Sequence, residues 1–423
     1  MSENESNSPL RRLQEALGNQ DFCLSGYRQP SEALAYETMR TLDDLFCRYL
    51  MEPSRTVDNR ERQFRTLSSW GVNHALRRIV PKVPPTRVFR DFASHEAIQT
   101  QADDFVFNCG VLELAERFEG RLREGILSGE LRPYPVPERE GMSQILILRS
   151  VVPSSSDEEI GMAGLRWASS MRMAEDAAEE RRLENRHIEL EPELARRVSL
   201  TDGWRTSYSS TKELDDHFRQ CARLYLRRIF SQDMIGPDDV IGGRPFARYT
   251  EVLTSLSGQS QKQIAFAAIL KVRHPSAHIR NLLTSHSGRE AFIESVARSL
   301  DADRIEIETI LKSLILTGDN LDIHTGGAST AWAPVVQAST DTLLLPIYGL
   351  DINPFLFLLT DLRHRYEADW FRVANNRERR WIEDIEQLFT GPRWQTHGRN
   401  LRLREDGKDI TDIDFAAFER NAN

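Results

Sequence analysis

Three features of the sequence predict a predominantly α-helical protein with a small α+β segment at its C-terminus. Apolar residues recur at helical spacing through most of the 423 positions. Strand-like runs are few and short. The last 25 or so residues switch to a two-residue alternation around Asp406-Gly407, a tight-turn signal. Hydrophobic residues make up 40% and charged residues 28%, the composition of a globular chain.

The elements follow in order. From about Leu10 to Arg78 the pattern is helical, with Leu42, Leu45, Phe46 and Leu50 on one face of EALAYETMRTLDDLFCRYL. A proline-rich connection spans Ile79 to Phe89, and a helix is expected from about Phe105 to Leu127. A strand, QILILRSVVP, ends at Pro153, and SSSDEE (Ser154 to Glu159) reads as a loop. Met171 to Arg197 is charged with a thin apolar stripe, as in a solvated helix. Lys212 to Phe230 is amphipathic, with Leu214, Phe218, Cys221 and Tyr225 in line, and several helices occupy Phe246 to Leu316. A glycine loop then leads to the apolar run Leu343 to Leu359, which reads as buried core. A further helix opens near Asn353-Pro354, proline suiting a first turn. These elements predict a helical domain over 1–153, a linker and charged helix over 154–211, a helical domain over 212–374 and a separate segment over 375–423.

Charge and cysteine content narrow the function classes. With 55 basic and 64 acidic side chains the net charge is −9, so any nucleic-acid contact must be a local patch. Cys23, Cys47, Cys109 and Cys221 lack CxxC spacing, and reduced thiols in a cytoplasmic protein are expected. No apolar run reaches the ~20 residues of a membrane span. Phosphate-cradling GxxxxGKS and GxGxxG spacings are absent, as is a GxSxG elbow, so HTGGAST and VIGGRPF read as turns. His274 and His278 of HPSAH have the i, i+4 spacing of a helical metal pair. Pro275 restricts His274 to extended geometry, so a helix opened by Pro275 is the expectation.

The chemistry concentrates near the C-terminus. In the expected helix Asn376 to Phe389, the apolar arc formed by Trp381, Ile382, Ile385, Leu388 and Phe389 also contains Glu378. A carboxylate on a core-facing stripe is costly unless it meets a cation or donor, although a first-turn position also supports the helix dipole. In the following hairpin, NLRLR (Asn400 to Arg404) pairs with Ile410 to Glu419. There Asp412 and Asp414 share a face with Ile410, Ala416 and Phe418. Aspartate is disfavoured in strands, so two on one face ask for a cation or a wet turn end, the latter suiting Asp412 better. Between Pro392 and Arg404 stand Arg393, Arg399, Arg402 and Arg404 with Trp394 and no acid. This set is able to hold phosphates and stack a base, or simply to balance an acidic chain.

Helix glutamate, DG turn and strand aspartate together resemble the PD-(D/E)XK nuclease superfamily, including members fused behind long helical regions in bacterial proteins. The resemblance covers about residues 375–423 and implies the start of a restriction-endonuclease-like core. Glu378 and Asp414 would be its catalytic metal ligands, Asp412 a helper, Mg²⁺ the cofactor and DNA or RNA the substrate. The element NRER alone carries little of this, because Asn59 to Arg62 has it with no acidic hairpin behind. The third strand of the family, with Glu or Gln, one residue and a Lys, would fall beyond Asn423. The 423-residue chain is therefore expected to be a truncated or degenerate nuclease that cleaves nothing by this mechanism. The preceding helices would then serve recognition, regulation or assembly with a protein partner or a second copy. The alternative is a non-enzymatic helical interaction or regulatory protein.

Overall fold

The structure, a computed structural model, describes residues 9–25, 31–51, 58–80, 91–135, 142–150, 157–229, 235–327, 330–389, 393–405 and 408–419. It is mostly helical, with small sheets of two to four strands. Contacts group the chain into two compact units, Met1–Leu226 with Val252–Thr360, and Arg227–Glu251 with Asp361–Asn423.

The first unit is built around two helices, α2 (Glu32–Met51) and α5 (Glu96–Arg123). Around α5 pack α1 (Pro9–Ser25), α2, α3 (Asn59–Trp70) and α4 (Val72–Ile79). Helix α2 departs from a one-faced amphipathic helix. Every residue from Leu34 to Asp44 is buried, including Glu37, Arg40, Asp43 and Asp44. The helix expected from Phe105 begins earlier, at Glu96, and ends at Arg123. The residues after it form β1 (Leu127–Pro135), antiparallel to β2 (Met142–Ser150). The proline-rich connection lies mostly outside the described residues. So do residues 154–156 of the expected SSSDEE loop, whose Asp157, Glu158 and Glu159 instead open α6 (Asp157–Arg197), well before Met171. Its narrow apolar stripe is present as buried Leu183, Leu190 and Leu194. A short hairpin, β3 (Val198–Thr201) and β4 (Arg205–Tyr208), leads to α7 (Lys212–Ile229), which buries Leu214 and Phe218 as its spacing predicts.

Helices α8 (Phe246–Arg273), α9 (Ile279–Leu283), α10 (Arg289–Leu300) and α11 (Arg304–Leu311) fill the stretch read as helical. Between and after them runs a four-stranded sheet of order β7 (Ser285–Gly288), β10 (Thr342–Leu345), β9 (Val335–Gln337), β8 (Ile315–Leu316). Strand β10 is antiparallel to β7 and β9, while β8 is parallel to β9. The apolar run from Leu343 is core, as expected, but it divides into β10, α13 (Ile347–Asp351) and the start of α14 (Pro354–Arg365). The glycine loop before it holds a short helix, α12 (Leu321–Thr325), whose His324 ring stacks on Phe357 at 3.6 Å.

Close helix packing in this unit depends on glycine. A Cβ on Gly110 would lie 1.8 Å from the Leu67 carbonyl oxygen, and one on Gly71 would lie 2.4 Å from the Gly110 nitrogen. Gly110→Ala should therefore cost about 2–3 kcal/mol, since backbone rather than a side-chain tip must move. In the same helix a methyl on Gly120 would meet nothing within 4 Å, so Gly120→Ala should stabilise by about 0.5–1 kcal/mol. Urea titrations read both signs, and a neutral Gly110→Ala would refute the close approach.

In the second unit, β5 (Val240–Ile241) and β6 (Arg244–Pro245) form a hairpin. Its turn residues Gly242 and Gly243 have φ of 60° and 75°, a region glycine enters without strain, so VIGGRP is a turn as read. The Gly242 N–H donates to Asp369 of α15 (Glu367–Leu388) at 2.8 Å, and Arg372 of the same helix donates to the Val240 carbonyl. These contacts fasten the N-terminal half of α15 to the glycine turn. The last elements are β11 (Trp394–Glu405) and β12 (Lys408–Glu419), paired antiparallel.

Candidate functional site

The expected helix and hairpin are both present, and each is longer than its sequence signal. Helix α15 begins at Glu367 rather than Asn376, because Tyr366 breaks it from α14 and no breaker follows until after Leu388. Its C-terminal half carries Glu378, and Val373 and Ile382 are buried on it. Phe389 then meets Trp394 edge-on, ring centroids 4.9 Å apart, which ties the helix end to the start of β11. Helix α15 also contacts β12. The side chains of Glu378, Asp412 and Asp414 lie outside the described residues, so their positions are those of the backbone alone.

Backbone register decides what shares a face. Strand β12 keeps one register against β11 from Thr411 to Ala416, and the shift beyond it, between Thr396 and Gly398, adds its extra residue on β11, so positions 412, 414, 416 and 418 of β12 fall on one side. Ile410 does not join them. The register shifts from Leu403↔Thr411 to Arg404↔Asp409, and the irregularity leaves Ile410 unpaired. Arg402 stands directly across from Asp412, which brings one basic position onto the aspartate face. Phe418 on that side is 58% exposed, so this face of the hairpin is open at its far end.

Of the basic set, Arg393, Arg402 and Arg404 are exposed, whereas the Arg399 side chain lies outside the described residues. Arg393 sits over the Trp394 ring at 5.5 Å, so the indole already has a guanidinium against it. The registers Arg402↔Asp412 and Arg404↔Asp409 place opposite charges at facing positions, which is itself a hairpin-stabilising arrangement.

The histidines of HPSAH do not form a helical pair. His274 follows the end of α8 and is exposed, and His278 is the N-cap of α9, its Nδ1 accepting from the Arg280 N–H at 3.4 Å. Pro275 lies in the turn between these helices rather than opening one. The i, i+4 spacing is thus spent on a connection.

Sequence spacing offers no hint of a His/Glu/Glu group in the first unit. His74 Nε2 lies 3.2 Å from Glu113 and 3.1 Å from Glu116, and the three ligand atoms fall within 4.8 Å of one another. Such a donor set suits zinc. On the opposite side of the ring, however, an Arg78 guanidinium nitrogen is 3.4 Å from Nδ1. Guanidinium only donates, so Nδ1 accepts and Nε2 carries its proton toward the glutamates. The His74 hydrogen bond, with Arg117 at 2.6 Å, holds the Glu113 carboxyl down at about 2. These contacts describe an ion-paired cluster between α4 and α5.

Among the described helices none is long and apolar enough to cross a membrane. No family model matches this chain, and neither the characterised proteins nor the solved structures searched contain a match.

Proposed function

We propose that residues 375–423 are the start of a restriction-endonuclease-like core and that the protein is a metal-dependent nuclease hydrolysing phosphodiesters of DNA or RNA. One observation carries the reading: a hairpin that aligns Asp412, Asp414 and Arg402 on one face follows, and touches, the helix bearing Glu378. Phosphodiester hydrolysis needs carboxylates to hold a divalent cation beside a group that meets the phosphate. In this reading Glu378 and Asp414 hold Mg²⁺, which activates water and offsets charge on the phosphorane-like transition state. Arg402, with Arg393, Arg399 and Arg404, engages the backbone, and Trp394 flanks a base. Asp412 is assigned to strand pairing with Arg402, with metal contact a secondary role.

The test is Mg²⁺-dependent cleavage of plasmid and single-stranded RNA by the full-length gene product, with and without chelator. Asp414→Asn and Glu378→Gln should each lower cleavage at least about a hundredfold, roughly 2.7 kcal/mol of barrier. Asp412→Asn should cost far less. Full activity in both of the first two variants would remove the assignment. It would favour the second reading, a non-enzymatic helical interaction protein, which the charge-paired registers of the hairpin also fit.

A further inference from the structure

The first unit contains a cleft of about 410 Å³ that the nuclease reading leaves without a role. Its volume lies in the range of small-ligand sites. Its lining differs from the surrounding core: two glutamines, an asparagine, and serine and threonine hydroxyls meet the aromatic rings of Tyr36, Trp204 and Tyr208. Among the described residues, Arg40, Arg205 and His286 stand around one carboxylate, that of Asp91.

The amides are the most informative part. Gln259 and Gln263 are one turn apart on α8 and both line the cleft. Gln263 is 5% exposed and donates to the Leu282 carbonyl at 2.6 Å. That bond fixes the amide orientation and leaves Oε1, an acceptor, with no partner among the described residues. Thr206 Oγ1 and Arg40 Nε, also on cleft-lining residues, are buried and likewise have no partner among the described residues. Unmet buried polar atoms cost about 1–3 kcal/mol each, which a ligand that reached them through a side-chain adjustment of the lining would recover. An acceptor fixed in this way calls for a donor such as an exocyclic amine, and glutamine amides match the amino-and-ring-nitrogen edge of adenine.

The other walls suit the rest of such a molecule. Half-buried Trp204 has the Arg205 guanidinium 5.3 Å and that of Arg40 5.8 Å from its ring centroid, distances that leave part of its aromatic surface for a base. Arg205 is about half exposed, 3.3 Å from Asp91 and 3.7 Å from Asp202. Neither contact uses its full fork of donors, so it remains able to meet a phosphate. We propose that this cleft binds a free mononucleotide with an amino-substituted base, adenine best, its base against Trp204 and Gln263 and its phosphate at Arg205.

The proposal stands apart from the nuclease reading and is tested without cleavage. Isothermal titration of the whole protein with AMP, IMP, adenosine and ribose 5-phosphate separates the contributions. AMP should bind saturably and at least about tenfold more tightly than IMP, which presents an acceptor where AMP presents a donor. Adenosine and ribose 5-phosphate should each bind at least about tenfold more weakly than AMP. Trp204→Leu, on a short surface hairpin, and Gln263→Leu should each weaken AMP at least about tenfold, with unfolding midpoints recorded to confirm folding. Absence of saturable AMP binding overturns the proposal. Equal binding of AMP and IMP does so too, as does ribose 5-phosphate binding as tightly as AMP. Unaltered AMP affinity in the folded Trp204→Leu variant would place the nucleotide elsewhere.

Discussion

Arg280→Ala is expected to destabilise the protein by about 3–5 kcal/mol, the cost of stranding buried charge when one partner of an ion pair is removed. Arg280 is 6% exposed on α9, and its guanidinium meets three carboxylates from two other helices. Nε donates to Asp44 at 3.0 Å, and Nη2 donates to Asp103 at 2.7 Å. Nη1 donates to Thr41 at 3.0 Å and lies 3.6 Å from Glu37. Burial opposes the charge of Arg280, yet Asp44 and Asp103 hold its guanidinium above the usual range. Burial likewise lifts the Asp103 carboxyl, an effect that Arg280 resists and that would grow without it. Other cations cannot take over. Arg48 is already on Asp44, and Arg40 is shared among Glu37, Asp91 and the Phe92 carbonyl. Arg280→Lys should recover little, because a point charge cannot span the three acids and Thr41 together. Denaturant titration followed by circular dichroism measures both variants, and a loss under about 1 kcal/mol for Arg280→Ala would show that the acids find other partners.

That network marks where sequence reading stops. In α2, Leu42 can be placed on a core face from spacing alone, but Glu37, Asp43 and Asp44 look solvent-bound by every local rule. They are buried because Arg280 and Thr284, more than 230 residues later, bring donors to them. Strands β8 to β10 escape notice for a related reason. Two to four residues carry no periodicity, and only pairing with one another makes them a sheet. In HPSAH, spacing suggests a ligand pair, whereas the chain ends one helix and caps the next there. The C-terminal helix and hairpin are legible because an Asp-Gly turn and strand alternation are local signals. The facing of Arg402 and Asp412 is not, since it depends on the register shift at Leu403 and Arg404, whose position no residue type announces. The cleft is hidden likewise, its glutamines reading as ordinary polar positions of α8.

Asp43 offers the second large effect, and its sign can be worked out. The carboxylate is fully buried on α2, where Oδ1 accepts the Tyr348 N–H at 2.9 Å and Oδ2 accepts from the Thr284 hydroxyl at 2.5 Å. It thereby caps α13 from outside, since Pro346 supplies no side-chain cap. Burial pushes the Asp43 carboxyl up to about 7, against the hydrogen bonds from Thr284, Tyr348 and Ile347. The folded state therefore keeps a proton that the unfolded chain releases near pH 4. Its contribution to stability is complete below pH 4 and is lost as pH rises through 7, on the order of 4 kcal/mol. Two other buried groups modify the profile. Burial lifts Asp351 to about 6, with the same sign, while burial pushes His217 down to about 4, so that its contribution is lost as pH falls below 6.5. The wild-type slope is thus a partial cancellation, and the informative quantity is the difference between variants at each pH. Asp43→Asn keeps an acceptor for Tyr348 and presents an N–H to Thr284, whose oxygen can accept. It should match the wild type within about 1 kcal/mol at pH 4.5 and exceed its stability at pH 7.5. Asp43→Ala should lose about 2–4 kcal/mol at pH 4.5, because the Tyr348 N–H and the Thr284 hydroxyl are left buried and unmet. Urea unfolding across this range measures all three proteins. A difference between Asp43→Asn and wild type that stays constant with pH would mean that Asp43 is already ionised in the folded core at pH 4.5.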